Sequence, residues 1–314
     1  MVTILALAAA MLYGTADFLG GVASRRASAF AVLALTVPAG AVVMVLVALL
    51  GQMPALGGLL GHGGLGAPAS PGDWSAVGWA AASGVCGAFG LIAFYTGFAS
   101  APISVVAPVA ALVSAVLPVG VAIAGGERPA ATVIAGGLIC LVAVVLVSAQ
   151  PADHARPERS RRPGGERRSS RIRLVTSGRL LAIGCGAAAG VGFGLFFIFL
   201  KNAGQSGVLW PVAISRSAGT VVAFGMALAT RTRLRLGPGG ITVIALVSGS
   251  IDAAANVCYV LATRVGLFGL AVVITSLYPG MTVLLARVLL GERLRWLQRT
   301  GLLLAAAGVV LVTV

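Results

Sequence analysis

Long apolar runs separated by short polar connections make up most of the chain. Ten of these runs reach the roughly 20 residues that a helix needs to cross the hydrocarbon core of a bilayer. They are too long for the strands of a membrane barrel and do not alternate apolar with polar residues. The pattern therefore predicts an all-α integral membrane protein with ten transmembrane helices. The predicted spans are residues 3–23, 30–50, 75–98, 102–124, 130–149, 180–200, 208–229, 240–263, 266–288 and 296–313.

One long polar stretch, residues 150–179, divides the apolar sequence into two parts. It carries nine Arg against three acidic residues, and its Pro and Gly residues break any helical period. Because one Arg at the centre of a membrane helix costs about 3 kcal/mol on insertion scales, this stretch must lie in water. We therefore divide the chain into a first five-helix repeat (1–149), a basic linker (150–179) and a second five-helix repeat (180–314). The linker is either a disordered connection without a partner of its own or a segment that contacts anionic lipid headgroups.

The distribution of charge predicts the orientation in the membrane. With 59% apolar and 10% charged residues, the chain is not a soluble globular domain. The formal net charge of +14 does not indicate nucleic-acid binding, because the basic residues lie mainly in connections. Seventeen of them follow odd-numbered spans, and only Arg128, Lys201 and Arg264 lie on the opposite side. This asymmetry predicts a multi-pass protein of the plasma (inner) membrane with a cytoplasmic linker and external termini.

The two halves of the chain repeat each other. Residues 8–40 match residues 187–219 at an offset of 179, and later positions match at an offset of 165. Five spans are an odd number, so two such repeats must lie antiparallel in the membrane, as in alternating-access carriers. The matched positions include Phe18 with Phe197, Gly40 with Gly219, Ser83-Gly84 with Ser248-Gly249, Gly126-Glu127-Arg128 with Gly291-Glu292-Arg293, and Gly136 with Gly301.

These features carry a family resemblance. Each repeat has a Gly-Glu-Arg turn before its final Gly-rich helix, the chain ends in LLGERLRWLQRTGLLLAAAGVVLV, and its first helix includes LYGTADFLGGVASRR. The chain resembles the EamA family of the drug/metabolite transporter superfamily over nearly its whole length. The resemblance implies ten helices around a central cavity and secondary transport of a small organic metabolite or drug by alternating access. Export is the expected direction.

Two other classes of function remain as alternatives. A membrane scaffold or sensor without transport would not need an inverted repeat with buried charge. A membrane-embedded enzyme acting on lipid would group His and carboxylates at one interface, whereas both His lie in connections and the acids are scattered. We expect no enzyme, no metal and no cofactor, because the four Cys lack metal-ligand spacing and no phosphate-binding Gly-Lys-Ser/Thr loop occurs.

Three ionisable residues lie well inside predicted spans and are the first candidates for a site: Asp17, Arg216 and Asp252. Arg216 and Asp252 differ in estimated depth by only about 4 Å, so we expect an ion pair. That pair is either a lock between neighbouring helices or part of a substrate or gating site. Asp17 has no basic neighbour in its own span and is the candidate proton carrier, although it lies near the cytoplasmic end, where hydration alone would explain it.

Polar side chains at helical spacing complete the predicted substrate site. Asp252, Asn256 and Tyr259 follow i, i+4, i+7 spacing and share one face of span 8, and Tyr13 shares a face of span 1 with Asp17. Substrate-binding roles are predicted for these residues, for Arg216 and for Tyr95. Tyr278 and Trp210 are further candidates to line the path, and packing or interface anchoring is the alternative for all three aromatics.

Two further patterns predict local structure. The acid and base of the repeated Gly-Glu-Arg turns, which contain Glu127 and Glu292, predict turns held by local hydrogen bonds. Pro108, Pro118 and Pro279 are expected to interrupt spans 4 and 9 around a cavity.

Overall fold

The protein is helical throughout the residues that the computed structural model describes, which are 1–24, 29–52, 74–100, 103–148, 168–231, 239–291 and 295–313. No strand occurs within these ranges. A short 3₁₀ turn, Gly204–Ser206, joins α6 to α7. The helices are α1 (Val2–Ser24), α2 (Ala29–Leu50), α3 (Trp74–Ser100), α4 (Ile103–Ala124), α5 (Ala131–Ser148), α6 (Arg168–Ala203), α7 (Leu209–Ala229), α8 (Gly239–Val265), α9 (Phe268–Thr275), α10 (Tyr278–Leu290) and α11 (Trp296–Thr313).

The predicted all-α membrane protein is confirmed, and each of the ten predicted spans coincides with helical structure. Eight helices in the described ranges are long and apolar enough to cross a membrane, with α9 and α10 together forming one of them. Two shorter apolar helices, α5 and α11, have 18 residues each. At 1.5 Å per residue they are about 27 Å long, slightly less than the ~30 Å hydrocarbon core.

The connections differ in part from the prediction. Residues 149–167 of the linker region and 53–73 of the long second connection lie outside the described residues. Helix α6, however, begins at Arg168, whereas the linker was expected to be non-helical up to residue 179. The reason is local: residues 168–177 contain neither Pro nor Gly, so a helix can continue from the membrane into the linker.

Span 9 is broken, and span 4 is not. Helix α9 ends at Thr275, and α10 begins at Tyr278 with Pro279 in its first turn, where the missing N–H of proline breaks no helical bond. The predicted interruption by Pro279 is therefore confirmed. For Pro108 and Pro118 it is wrong, since both lie inside a continuous α4. Packing against neighbouring helices commonly keeps a proline-containing membrane helix intact.

Two close helix crossings join the halves of the chain in an equivalent way. Gly84 of α3 lies against the main chain of α7 at Ser215, and Gly249 of α8 lies against the main chain of α2 at Thr36. A side chain at either glycine would overlap that main chain, so only glycine permits the approach. The offsets of 165 and 179 map one crossing onto the other.

Neighbouring serines repeat the same relation. The Ser83 hydroxyl donates to the main-chain oxygen of Phe196 at 3.1 Å on α6. The Ser248 hydroxyl donates to the main-chain oxygen of Ala16 at 2.8 Å on α1. The pairing of helices has the same form, since α1 packs on α8 as α3 packs on α6, while α5 packs on α11.

Candidate functional site

An ion pair between α7 and α8 lies inside the helical bundle. Arg216 Nη2 contacts Asp252 Oδ2, and Nη2 also donates to the main-chain oxygen of Asp252 at 3.4 Å. The two side chains are 14% and 26% exposed. The predicted ion pair is confirmed, and its partial burial makes it costly unless both charges stay paired.

The ion pair continues into a hydrogen-bonded chain that reaches α1. Asn256 Nδ2 donates to the main-chain oxygen of Asp252 at 2.7 Å, and Tyr13 Oη donates to Asn256 Oδ1 at 2.7 Å. Tyr13 and Asn256 are buried. Because Asn256 lies one turn after Asp252, the polar face of α8 meets Tyr13 as the helical spacing predicted. The structure thus brings Arg216, Asp252, Asn256 and Tyr13 together.

Tyr259 belongs to the wall of this cluster rather than to its polar centre. Its side chain is fully buried, and its hydroxyl donates to the main-chain oxygen of Phe197 on α6 at 2.8 Å. The rings of Tyr259 and Phe197 lie 4.8 Å apart, and the ring of Tyr13 is 6.1 Å from Phe197. Sequence reasoning gave Phe197 no part in the site, although the 179-residue offset pairs it with Phe18.

Asp17 lies one turn beyond Tyr13 on α1, and its side chain is exposed. It is near enough to Asp252 and to Tyr278 to interact with them electrostatically. Within the described ranges the Asp17 carboxylate has no ion-pair or hydrogen-bond partner. The site therefore contains one paired carboxylate and one that is free for another cation or a proton.

The break between α9 and α10 brings an aromatic residue to the site. Tyr278 begins α10, and its ring is 6.3 Å from that of Tyr13. Thr282, one turn later, donates its hydroxyl to the main-chain oxygen of Gly14 at 3.0 Å. The remaining predicted aromatic, Tyr95, lies on α3 but outside the residues whose side chains are described.

An apolar cavity of about 280 Å³ lies apart from this cluster, between α2 and α7. It is lined by residues such as Val45, Trp210 and Ile214. Trp210 is a predicted path residue, and none of the predicted polar site residues contributes to this wall. Across the described part of the chain, no group of three His, Cys, Asp or Glu side chains could hold a metal ion. The ion pair and its hydrogen-bonded neighbours between α1, α7 and α8 therefore remain the candidate site.

The first Gly-Glu-Arg turn has an unexpected side-chain partner. Its backbone is held locally, because Gly126 has φ of 94° and the Glu127 N–H donates to the main-chain oxygen of Ala122 at 3.1 Å. The carboxylate of Glu127, however, accepts hydrogen bonds from the N–H groups of Phe268 and Gly269, at 2.8 and 3.0 Å. The prediction of local hydrogen bonding is therefore confirmed for the backbone of this turn and wrong for the Glu127 side chain. Glu292 lies outside the described residues.

Comparison with known proteins supplies the context for this site. A solved structure titled "Crystal structure of protein" is 18% identical, with 99% of this chain and 96% of that chain covered and a TM-score of 0.71, so the two share a fold. No curated protein sequence matched the chain. Residues 180–314 match the model of the EamA-like transporter family. The second half of this chain is thus similar to the EamA-like transporter family, a family of the drug/metabolite transporter superfamily.

Proposed function

We propose that the protein is a secondary transporter that exports a small organic metabolite or drug across the plasma (inner) membrane by alternating access. The observation that carries this proposal is the partly buried chain of polar groups from Arg216 through Asp252 and Asn256 to Tyr13. Ionisable groups inside a membrane protein are costly and normally mark a substrate or ion path. The match of residues 180–314 to the model of a transporter family supports the same conclusion.

The architecture proposed for transport is a pair of inverted five-helix repeats, residues 1–149 and 180–314, joined by a cytoplasmic basic linker. The equivalent crossings at Gly84 and Gly249 support this relation, because a two-fold axis in the membrane plane would exchange them. The site lies where α1 of the first repeat meets α7 and α8 of the second. Rocking of one repeat against the other would open that position to each side in turn.

The substrate would contact the exposed and aromatic parts of the cluster. The Arg216–Asp252 pair presents neighbouring opposite charges, Asp17 presents a free carboxylate, and the partly buried ring of Tyr278 offers an apolar surface. Asn256 holds Asp252 and Tyr13 in place through its hydrogen bonds, and Tyr259 ties α8 to α6 at Phe197. Such a mixture suits a small organic molecule with both polar groups and an apolar body.

Energy coupling is assigned to Asp17. A transporter without a nucleotide site must draw on a gradient, and Asp17 is a carboxylate without a described cationic partner. A bound proton would neutralise it, and release of that proton to the other side would reset the site. Asp252 keeps its Arg216 partner and so serves as the substrate or helix-locking group.

Transport by purified protein in proteoliposomes, measured with a panel of labelled metabolites and drugs, tests the proposal. We expect at least one compound to move with the native protein and not with Asp252→Asn or Asn256→Ala at equal protein content. Ser250→Ala is the matched control, because Ser250 is on α8 and donates only to Leu246 of its own helix at 2.9 Å. Equal transport by all four proteins would contradict the assigned site.

A further inference from the structure

One carboxylate of the first half of the chain caps a helix of the second half. Glu127 lies 141 residues before Phe268, and its two oxygens accept the first two N–H groups of α9. These N–H groups have no partner within the helix and carry the positive end of its dipole, so a carboxylate there is stabilising. The Schellman-type turn at Gly126 directs Glu127 away from α4 and toward α9.

A second contact lies at the same position. Lys201 Nζ, at the end of α6, is 5.4 Å from the centre of the Phe268 ring, within the range of a cation–π interaction. The connection after α4, the end of α6 and the start of α9 therefore meet at Phe268. This face of the bundle, defined by Glu127, Lys201 and Phe268, is called the Glu127 face below.

Packing differs between the Glu127 face and the opposite side of the membrane. Helix α9 has six buried residues among its eight, and Leu200, Ala203 and Val260 near it are fully buried. Helix α10, which continues toward the opposite side, has no buried residue. Asp17, whose position on α1 is toward the same opposite side, is exposed. The Glu127 face is thus closely packed around α9, whereas the large apolar residues exposed on α10 suit contact with lipid.

Helix α9 connects the Glu127 face to the candidate site. It ends at Thr275, and α10 begins three residues later with Tyr278, whose ring packs near that of Tyr13. Only eight helical residues separate the capped N-terminus from this break, a length of about 12 Å. A displacement of α9 at Phe268 would therefore move Tyr278.

We propose that Glu127 is a positioning residue that latches α9 and holds the Glu127 face closed. Opening of that face requires Phe268 and Gly269 to leave the carboxylate, which carries α9 away from α4 and moves Tyr278 at the site. The latch rests on the proposed function, since a carrier must open this face during each cycle. Glu127 then sets the balance between the two access states without touching substrate.

The test measures how readily a reagent reaches the bundle interior from each face of the membrane, and it needs no substrate. Ser276 is buried, and Ser276→Cys changes only oxygen to sulfur. This substitution is made in protein whose four cysteines, Cys86, Cys140, Cys185 and Cys258, are replaced by Ala. A membrane-impermeant maleimide is applied to intact cells and, separately, to inverted vesicles, so that labelling from each face is measured.

Glu127→Ala should raise the rate of labelling from the Glu127 face by about tenfold, because it removes both acceptors of the cap. Glu127→Gln should give a smaller increase, since its amide oxygen can still accept a hydrogen bond from one of the two N–H groups. The control is Arg128→Ala in the same turn, where the side chain is exposed; labelling should stay at the native rate.

Two outcomes overturn the latch. In the first, folded Glu127→Ala or Glu127→Gln protein is labelled at the rate of Arg128→Ala. In the second, labelling rises equally from both faces, which indicates general loosening of the bundle rather than opening of one face. If Glu127→Ala does not fold, the Gln variant alone decides. A finding that no compound is transported would count against the proposed function. It would not change the result of the labelling experiment.

Discussion

The Arg216–Asp252 pair allows a double-mutant cycle that separates a helix lock from a substrate site. Removing one partner of a buried ion pair costs about 3–5 kcal/mol, because the other charge is stranded. The two side chains are 14% and 26% exposed, so partial hydration lowers that cost. We expect Asp252→Asn to lower the free energy of unfolding by about 3 kcal/mol and Arg216→Gln by about 2 kcal/mol.

The difference between the single variants follows from burial. Asp252→Asn strands Arg216, which is the less exposed partner and whose Nε is already buried without a hydrogen bond in the described structure. Arg216→Gln strands Asp252, which is more exposed. In the double variant no charge is left unpaired, so we expect a loss of about 2 kcal/mol instead of the roughly 5 kcal/mol of two additive changes.

The cycle is measured by SDS titration in mixed micelles, followed by far-UV circular dichroism, together with transport in proteoliposomes. Recovery of both stability and transport in the double variant would identify the pair as a lock. Recovery of stability without transport would identify it as part of the substrate site. A loss of stability in the double variant equal to the sum of the two single losses would refute the reasoning, since it would mean that the charges do not depend on each other.

Three further predictions concern topology, coupling and packing. In intact cells, an impermeant thiol reagent should label a cysteine placed at Gly63 and not one placed at Ser160, and the reverse pattern would invert the predicted orientation. An imposed pH gradient should drive substrate accumulation in proteoliposomes that contain the native protein and not in those that contain Asp17→Asn. Accumulation with Asp17→Asn would show that Asp17 is not the proton carrier. Gly84→Ala should destabilise the protein by about 1–3 kcal/mol in the same SDS titration, because its methyl group overlaps the α7 main chain. The control is Gly78→Ala on the same helix, whose methyl group meets nothing within 4 Å and should leave stability nearly unchanged.

Much of the helical organisation could be predicted because hydrocarbon imposes a simple rule on sequence. An apolar run of about 20 residues satisfies its backbone only as a helix, so the positions of the predicted spans follow from length and polarity. The ion pair was predictable for a related reason, since similar depth on adjacent helices brings Arg216 and Asp252 within reach. The start of α6 at Arg168 was missed because that part of the helix is polar and carries no hydropathy signal.

The side-chain partners across the bundle could not be predicted in the same way. Helical spacing placed Asn256 and Tyr259 on one face of α8, but it could not show that Tyr13 bonds to Asn256 while Phe197 receives the Tyr259 hydroxyl. Both contacts depend on how helices far apart in the chain cross. The internal repeat pairs Ser83-Gly84 with Ser248-Gly249, but it does not show which main chain each glycine contacts.

The sequence by itself determined that the protein is a helical membrane protein, where its helices lie, and which polar residues would be costly inside it. Only the tertiary structure decided which of those residues meet. It separated paired Asp252 from unpaired Asp17, and it directed Glu127 to a helix 141 residues away. The physical reason is that burial in lipid depends on the composition of each segment, whereas pairing depends on the relative placement of segments, which no single segment encodes.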